Sequence, residues 1–114
     1  MTVKELLASK DKWVKLTAQK KNADGSTAFC LLEASVYSSI YTAPKENSTA
    51  VFDIGVNIRK KLVEQILFKY PEYNKFKESI DDERARNQLI IIKFNDRPAT
   101  TYEEVMDVVD KAGV

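Results

Sequence analysis

Cys30 is the only thiol in the chain, and no histidine accompanies it. A thiol beside a helix N-terminus loses its proton more readily, which is one route to a nucleophile. Without an imidazole the commonest activating base and the commonest metal ligand are both missing. Phe29 and Leu31 also give Cys30 an apolar setting, so its neighbours favour a small core residue. Carboxylates come in pairs at Asp81-Asp82-Glu83, at Glu103-Glu104 and at Asp107 with Asp110. General acid–base chemistry needs two carboxylates in unlike environments, whereas these read as helix caps and a solvated face. Asn95 and Asp96 differ, because they stand on a predicted turn between two apolar elements and form the candidate functional turn. A turn whose Asx side chains bond the local backbone is the competing explanation. Gly25, Gly55 and Gly113 cannot be fitted to dinucleotide or P-loop spacing. A single cysteine allows neither an intramolecular disulfide nor a cysteine-based metal cage. The chain therefore offers no assignable catalytic residue, metal site or cofactor.

Charge is distributed unevenly. The totals nearly cancel, with 18 lysines and arginines against 17 acids, so the average field neither demands nor forbids a nucleic-acid partner. Residues 1–21 nevertheless carry Lys4, Lys10, Lys12, Lys15, Lys20 and Lys21 against Glu5 and Asp11. Residues 95–114 reverse this, with Arg97 and Lys111 against Asp96, Glu103, Glu104, Asp107 and Asp110. Arg59-Lys60-Lys61 adds a second basic cluster. Were Trp13, Lys15, Lys20, Lys21 and Arg59-Lys60-Lys61 to share one face, with the indole exposed, a nucleic-acid surface would result. An ordinary solvated surface, with Trp13 anchoring the hairpin on the core, is the simpler alternative. Tyr73 and Phe76 lie in a polar stretch and are expected to be exposed as interaction aromatics.

The elements that position these residues follow from caps, turns and periodicity. Thr2 with Glu5 makes a capping box before Val3, Leu6 and Leu7, predicting a short helix that ends near Lys10. The 13–20 and 25–29 stretches, joined through Asn22-Ala23-Asp24-Gly25, predict a β-hairpin. From 28 to 41, two apolar rows (Phe29, Leu32, Val36, Ile40 and Cys30, Ala34, Tyr37, Tyr41) predict a central helix. Ser35, Ser38 and Ser39 would face outward or let another helix approach closely. Residues 42–49 read as a polar, mobile loop. Ile54, Ile58, Leu62 and Ile66 recur at helical spacing and predict a helix running to about Tyr70, where Pro71 stops it. Residues 72–79 read as a charged linker or short turn. The acids at 81–83 suit a helix N-terminus and predict a helix over 82–92. Finally, Thr100 with Glu103, and Thr101 with Glu104, each fit a capping box before an inward stripe of Val105, Val108, Val109 and Ala112.

The expected fold is mainly α within a small α+β class: four to five helices and one flanking hairpin, in a single domain over 1–114. The 114 residues suffice to bury a core without metals or disulfides. Residues 1–12 lack an apolar core of signal-peptide length, and no apolar run approaches a membrane span, so a cytoplasmic protein without a membrane partner is expected.

The order of Trp13, Asp24-Gly25, Ala-Phe-Cys-Leu-Leu-Glu-Ala (28–34) and Phe-Asn-Asp-x-Pro-x-Thr-x-x-Glu-Val (94–105) resembles a domain-of-unknown-function family of small uncharacterised bacterial and phage proteins. The resemblance implies a bacterial or phage cytoplasmic origin and an α-rich fold with a hairpin. It implies no catalytic residue, ligand or partner. The functional expectation is a small non-enzymatic binding or regulatory protein, phage-encoded, that acts by occupying a surface of a host protein. The alternative is a nucleic-acid-binding accessory protein using the basic hairpin surface, and the oligomeric state stays open.

Overall fold

The computed structural model describes residues 1–45 and 47–114. Helix α1 spans Val3–Leu6, strand β1 Gln19–Lys21, β2 Thr27–Phe29, α2 Leu31–Thr42, α3 Ser48–Lys69, α4 Phe76–Ser79, α5 Glu83–Asp96 and α6 Tyr102–Ala112. Short 3-10 turns occupy Lys10–Lys12 and Pro71–Lys75. The fold is thus mainly α with one antiparallel hairpin, its register pairing Gln19 with Phe29 and Lys21 with Thr27.

The long helix α3 is the axis of the molecule, because α2, α5 and α6 all pack on it. Ile58, Leu62 and Ile66 recur every four residues and are buried together, as the spacing predicts. Asn47 caps the start of α3 by accepting from the Ala50 N–H at 3.0 Å, and Pro71 follows its last turn. The polar loop expected over 42–49 is confined to 43–47, of which Glu46 lies outside the described residues.

Both strongest capping boxes form. Thr2 Oγ1 accepts from Glu5 N–H at 3.1 Å while Glu5 Oε1 accepts from Thr2 N–H at 3.0 Å. Thr101 and Glu104 make the same reciprocal pair at 3.2 and 3.1 Å. Thr100 makes no such box: it is buried, and its hydroxyl accepts from Arg97 Nε at 3.0 Å. Val105, Val108 and Val109 are buried as the stripe predicts.

Four local expectations fail for non-local reasons. The first helix ends at Leu6 rather than near Lys10. The first strand is confined to Gln19–Lys21, since Trp13 makes only an isolated bridge to Phe29 and Leu16 adopts φ 67°. In α2 the apolar rows are not the buried face. Ser35, Ser38, Ser39, Ala34 and Leu31 are buried, while Ile40 and Tyr41 are about half exposed at 47% and 56%. Small residues let α2 and α3 approach closely, and the serine hydroxyls satisfy themselves on nearby carbonyls, Ser39 on Val36 O at 2.6 Å and Ser38 on Met1 O at 2.8 Å. The stretch after Pro71 forms short turns, as one of its two readings has it, but these bury Tyr73 and half-bury Phe76, the two rings stacked at 6.3 Å, so neither is the exposed aromatic expected.

Candidate functional site

Helix α5 runs four residues beyond its expected end, which places Asn95 and Asp96 in its last turn rather than in a loop. There Asn95 uses every hydrogen-bonding position that an amide has. Its Oδ1 accepts from Trp13 Nε1–H at 2.7 Å and from Leu31 N–H at 3.0 Å. Its Nδ2 donates to Val14 O at 3.1 Å and to Asp96 Oδ1 at 2.9 Å. The Leu31 N–H is one of the orphan donors at the start of α2, so the side chain that ends one helix caps another. Asp96 Oδ1 accepts in addition from Leu16 N–H at 2.8 Å. This pair therefore holds the 13–16 segment and the start of α2 against the end of α5.

The ordering of that segment leaves a groove of about 230 Å³ whose walls are Leu16 and Ala18 on one side and Leu32 and Ile92 on the other. Thr17, Cys30, Glu33, Asn95 and Asp96 complete its lining. The Cys30 sulfur caps α2 by accepting from Glu33 N–H at 3.4 Å. Burial nevertheless dominates, pushing the Cys30 thiol above its ordinary value. A thiol that burial keeps protonated is a weak nucleophile. The groove thus combines apolar walls with the carboxylates of Glu33 and Asp96.

The residues grouped from sequence as one basic surface differ in their settings. The Trp13 indole turns inward to Asn95 and packs at 6.3 Å on Tyr102. Lys15 spans its ring at 5.6 Å and gives its ammonium to the carbonyls of Arg97 and Pro98 at 2.7 and 3.3 Å, a cation closing the C-terminus of α5. Arg59 is half-buried beside Gly55, where an added Cβ would meet its Nη2 at 3.0 Å. Burial lowers its pKa from the usual guanidinium value. Lys20 and Lys21 remain exposed on β1, and Lys60 and Lys61 on α3.

Leu16, Leu32 and Ile92 carry no signal as a set, because they come from three elements that only the fold brings together. The nearest hint is the indole itself, since a buried Trp needs an acceptor and Asn95 lies directly after the apolar run of α5. Among the described residues no helix is long and apolar enough to cross a membrane. No family model, curated protein or solved structure matches the chain.

Proposed function

We propose that this is a small non-enzymatic binding or regulatory protein, which seats a segment of another protein in the groove bounded by Leu16, Leu32 and Ile92. The observation that carries this reading is Leu16 itself. It is 80% exposed and stands at φ 67°, a left-handed conformation that costs a non-glycine residue about 1–2 kcal/mol. An apolar side chain so exposed contributes little burial to the folding of the isolated chain. The Asp96 carboxylate enforces it, and such enforced outliers gather where a ligand is clamped. The complementary segment offers an apolar side chain to Leu16, Leu32 and Ile92, and a lysine or arginine to Glu33 and Asp96. The family resemblance makes a protein of the bacterial host the target of this phage-encoded chain.

Exposed Lys20 and Lys21 favour a nucleic-acid partner as the second reading, although the inward indole deprives it of a stacking platform. The test is capture from bacterial lysate on the immobilised protein, with and without nuclease. A stoichiometric protein retained after nuclease and at high salt, lost with Leu16→Asp and kept with Lys20→Ala/Lys21→Ala, is the expected result. Binding that dies with nuclease, falls steeply with salt and depends on the lysines instead would replace this reading with the nucleic-acid one.

A further inference from the structure

A second cavity, of about 150 Å³, lies between α3 and α5 and shares no residue with the groove at Leu16. Each helix supplies one row at i, i+3, i+4 and i+7, the spacing that brings side chains onto one helical face. From α3 come Lys60, Val63, Glu64 and Leu67. From α5 come Glu83, Arg86, Asn87 and Ile90, and Lys77 of α4 closes the end. Ile90 and Val63 are buried and form an apolar floor with Leu67.

Asn87 is the anomaly in this seam. It is 8% exposed, at a place where an apolar side chain would close the two helices together. No hydrogen bond among the described residues engages its amide, whose atoms keep contact with solvent at the lining of the cavity. An amide in this position is free to pair with water or with a ligand that enters the cavity. Around it stand three cations and two carboxylates, and none of the five takes part in an ion pair among the described residues. Arg86 Nη1 makes one long bond to Ile80 O at 3.3 Å.

We infer that this cavity binds a small zwitterion of the amino-acid class, its charged ends at the rim and its carbon side chain on the floor. An anion alone would leave Glu64 and Glu83 opposing it, and a cation alone would meet Lys60, Lys77 and Arg86. A zwitterion answers both signs at once, its carboxylate on the cations and its ammonium on the glutamates. The Asn87 amide, which both donates and accepts, can bond either end. Size agrees. Cavities for drug-sized ligands start at about 300 Å³, and this one holds half of that. The inference stands on α3, α5 and Lys77 of α4, and is independent of the protein-binding groove.

The experiment is a nitrogen-15 NMR titration of the full chain with three probes of one carbon skeleton: L-leucine, 4-methylpentanoate and 3-methylbutylamine. L-Leucine is expected to shift the Asn87 side-chain amide and the backbone amides of 60–67 saturably. Each half-ligand should bind about tenfold more weakly or worse, a loss of about 1.4 kcal/mol. Asn87→Leu should keep the melting curve and lose at least about tenfold in affinity. If that variant does not fold, the exposed Glu83→Gln serves: it should erase the preference for L-leucine over 4-methylpentanoate. Equal binding of all three probes, shifts scattered away from Asn87, or no saturation at about ten times a millimolar Kd would overturn the inference. Ordered water would then be what pairs the amide.

Discussion

Asn95 shows how far the role of a residue can depend on partners that are distant in sequence. Its type and its place after an apolar run suggested a turn bonding its own backbone, a local rule. Four of its atoms' bonds instead reach Trp13, Val14, Leu31 and Asp96, three of these more than sixty residues away. Asn95→Ala leaves the Trp13 indole and the Leu31 N–H without acceptors. At about 1–3 kcal/mol for each buried orphan donor, the variant should lose about 3 kcal/mol in urea unfolding. A loss below about 1 kcal/mol would mean that water reaches both donors. Cys30 is the opposite case, a residue whose chemistry looked promising and whose setting subdues it. Because burial raises its pKa, alkylation by iodoacetamide at neutral pH should be slower in the native protein than in urea. A native rate above the unfolded one would show an activated thiol and reopen the enzyme reading.

Elements were legible where their signals are local. The Thr2–Glu5 and Thr101–Glu104 boxes, the Pro71 stop and the row along α3 each depend on residues within one or two turns, and each appears. The buried face of α2 was legible only as one of two alternatives for its serines, since the small side chains that face α3 decide it and the helix's own apolar rows do not. That inversion separates two neighbouring residues. Leu31→Ala empties a fully buried position and should cost about 2–5 kcal/mol, whereas Leu32→Ala, on the half-exposed groove wall, should cost less than half as much. Equal losses by thermal melting would put both leucines in the core. At the other end of the fold, Thr101→Ala should cost about 1 kcal/mol, because buried Thr100 cannot replace it. Glu104 makes the same helix start sensitive to pH. The Tyr70 hydroxyl at 2.6 Å is the chief cause holding its carboxyl below the ordinary value, with the Thr101 bonds and Arg97 adding to it. A lowered folded pKa means stability that is complete above the unfolded value near 4.3 and is lost as pH falls through the folded one. Glu104→Gln should therefore flatten this part of the acid limb in a pH series of melting curves.

The whole molecule has a radius of gyration of 13.7 Å, close to the roughly 13 Å expected for a compact chain of this length. Much of that closure depends on α1, which at one turn has no stability of its own. Val3 and Leu7 are fully buried and Leu6 nearly so. The backbone of Lys4 donates to Val114 O at 3.2 Å, Tyr102 donates to Leu7 O at 2.6 Å, and Ser38 to Met1 O at 2.8 Å. Residues 1–7 thus lie against α2 and α6, sealing the core where these helices would otherwise face water. Burying three such side chains contributes about 1.5–3 kcal/mol each, a sum comparable with the whole stability of about 5–15 kcal/mol for a domain. A chain of residues 8–114 should consequently retain α3 and α5 in far-UV circular dichroism while losing its cooperative melt. The near-UV signal of Trp13, fixed by Asn95 and Tyr102, should fade with it. A cooperative transition within about 5 °C of the full chain, where 1 kcal/mol moves Tm by about 4–8 °C, would show instead that α1 merely rests on a core that is complete without it.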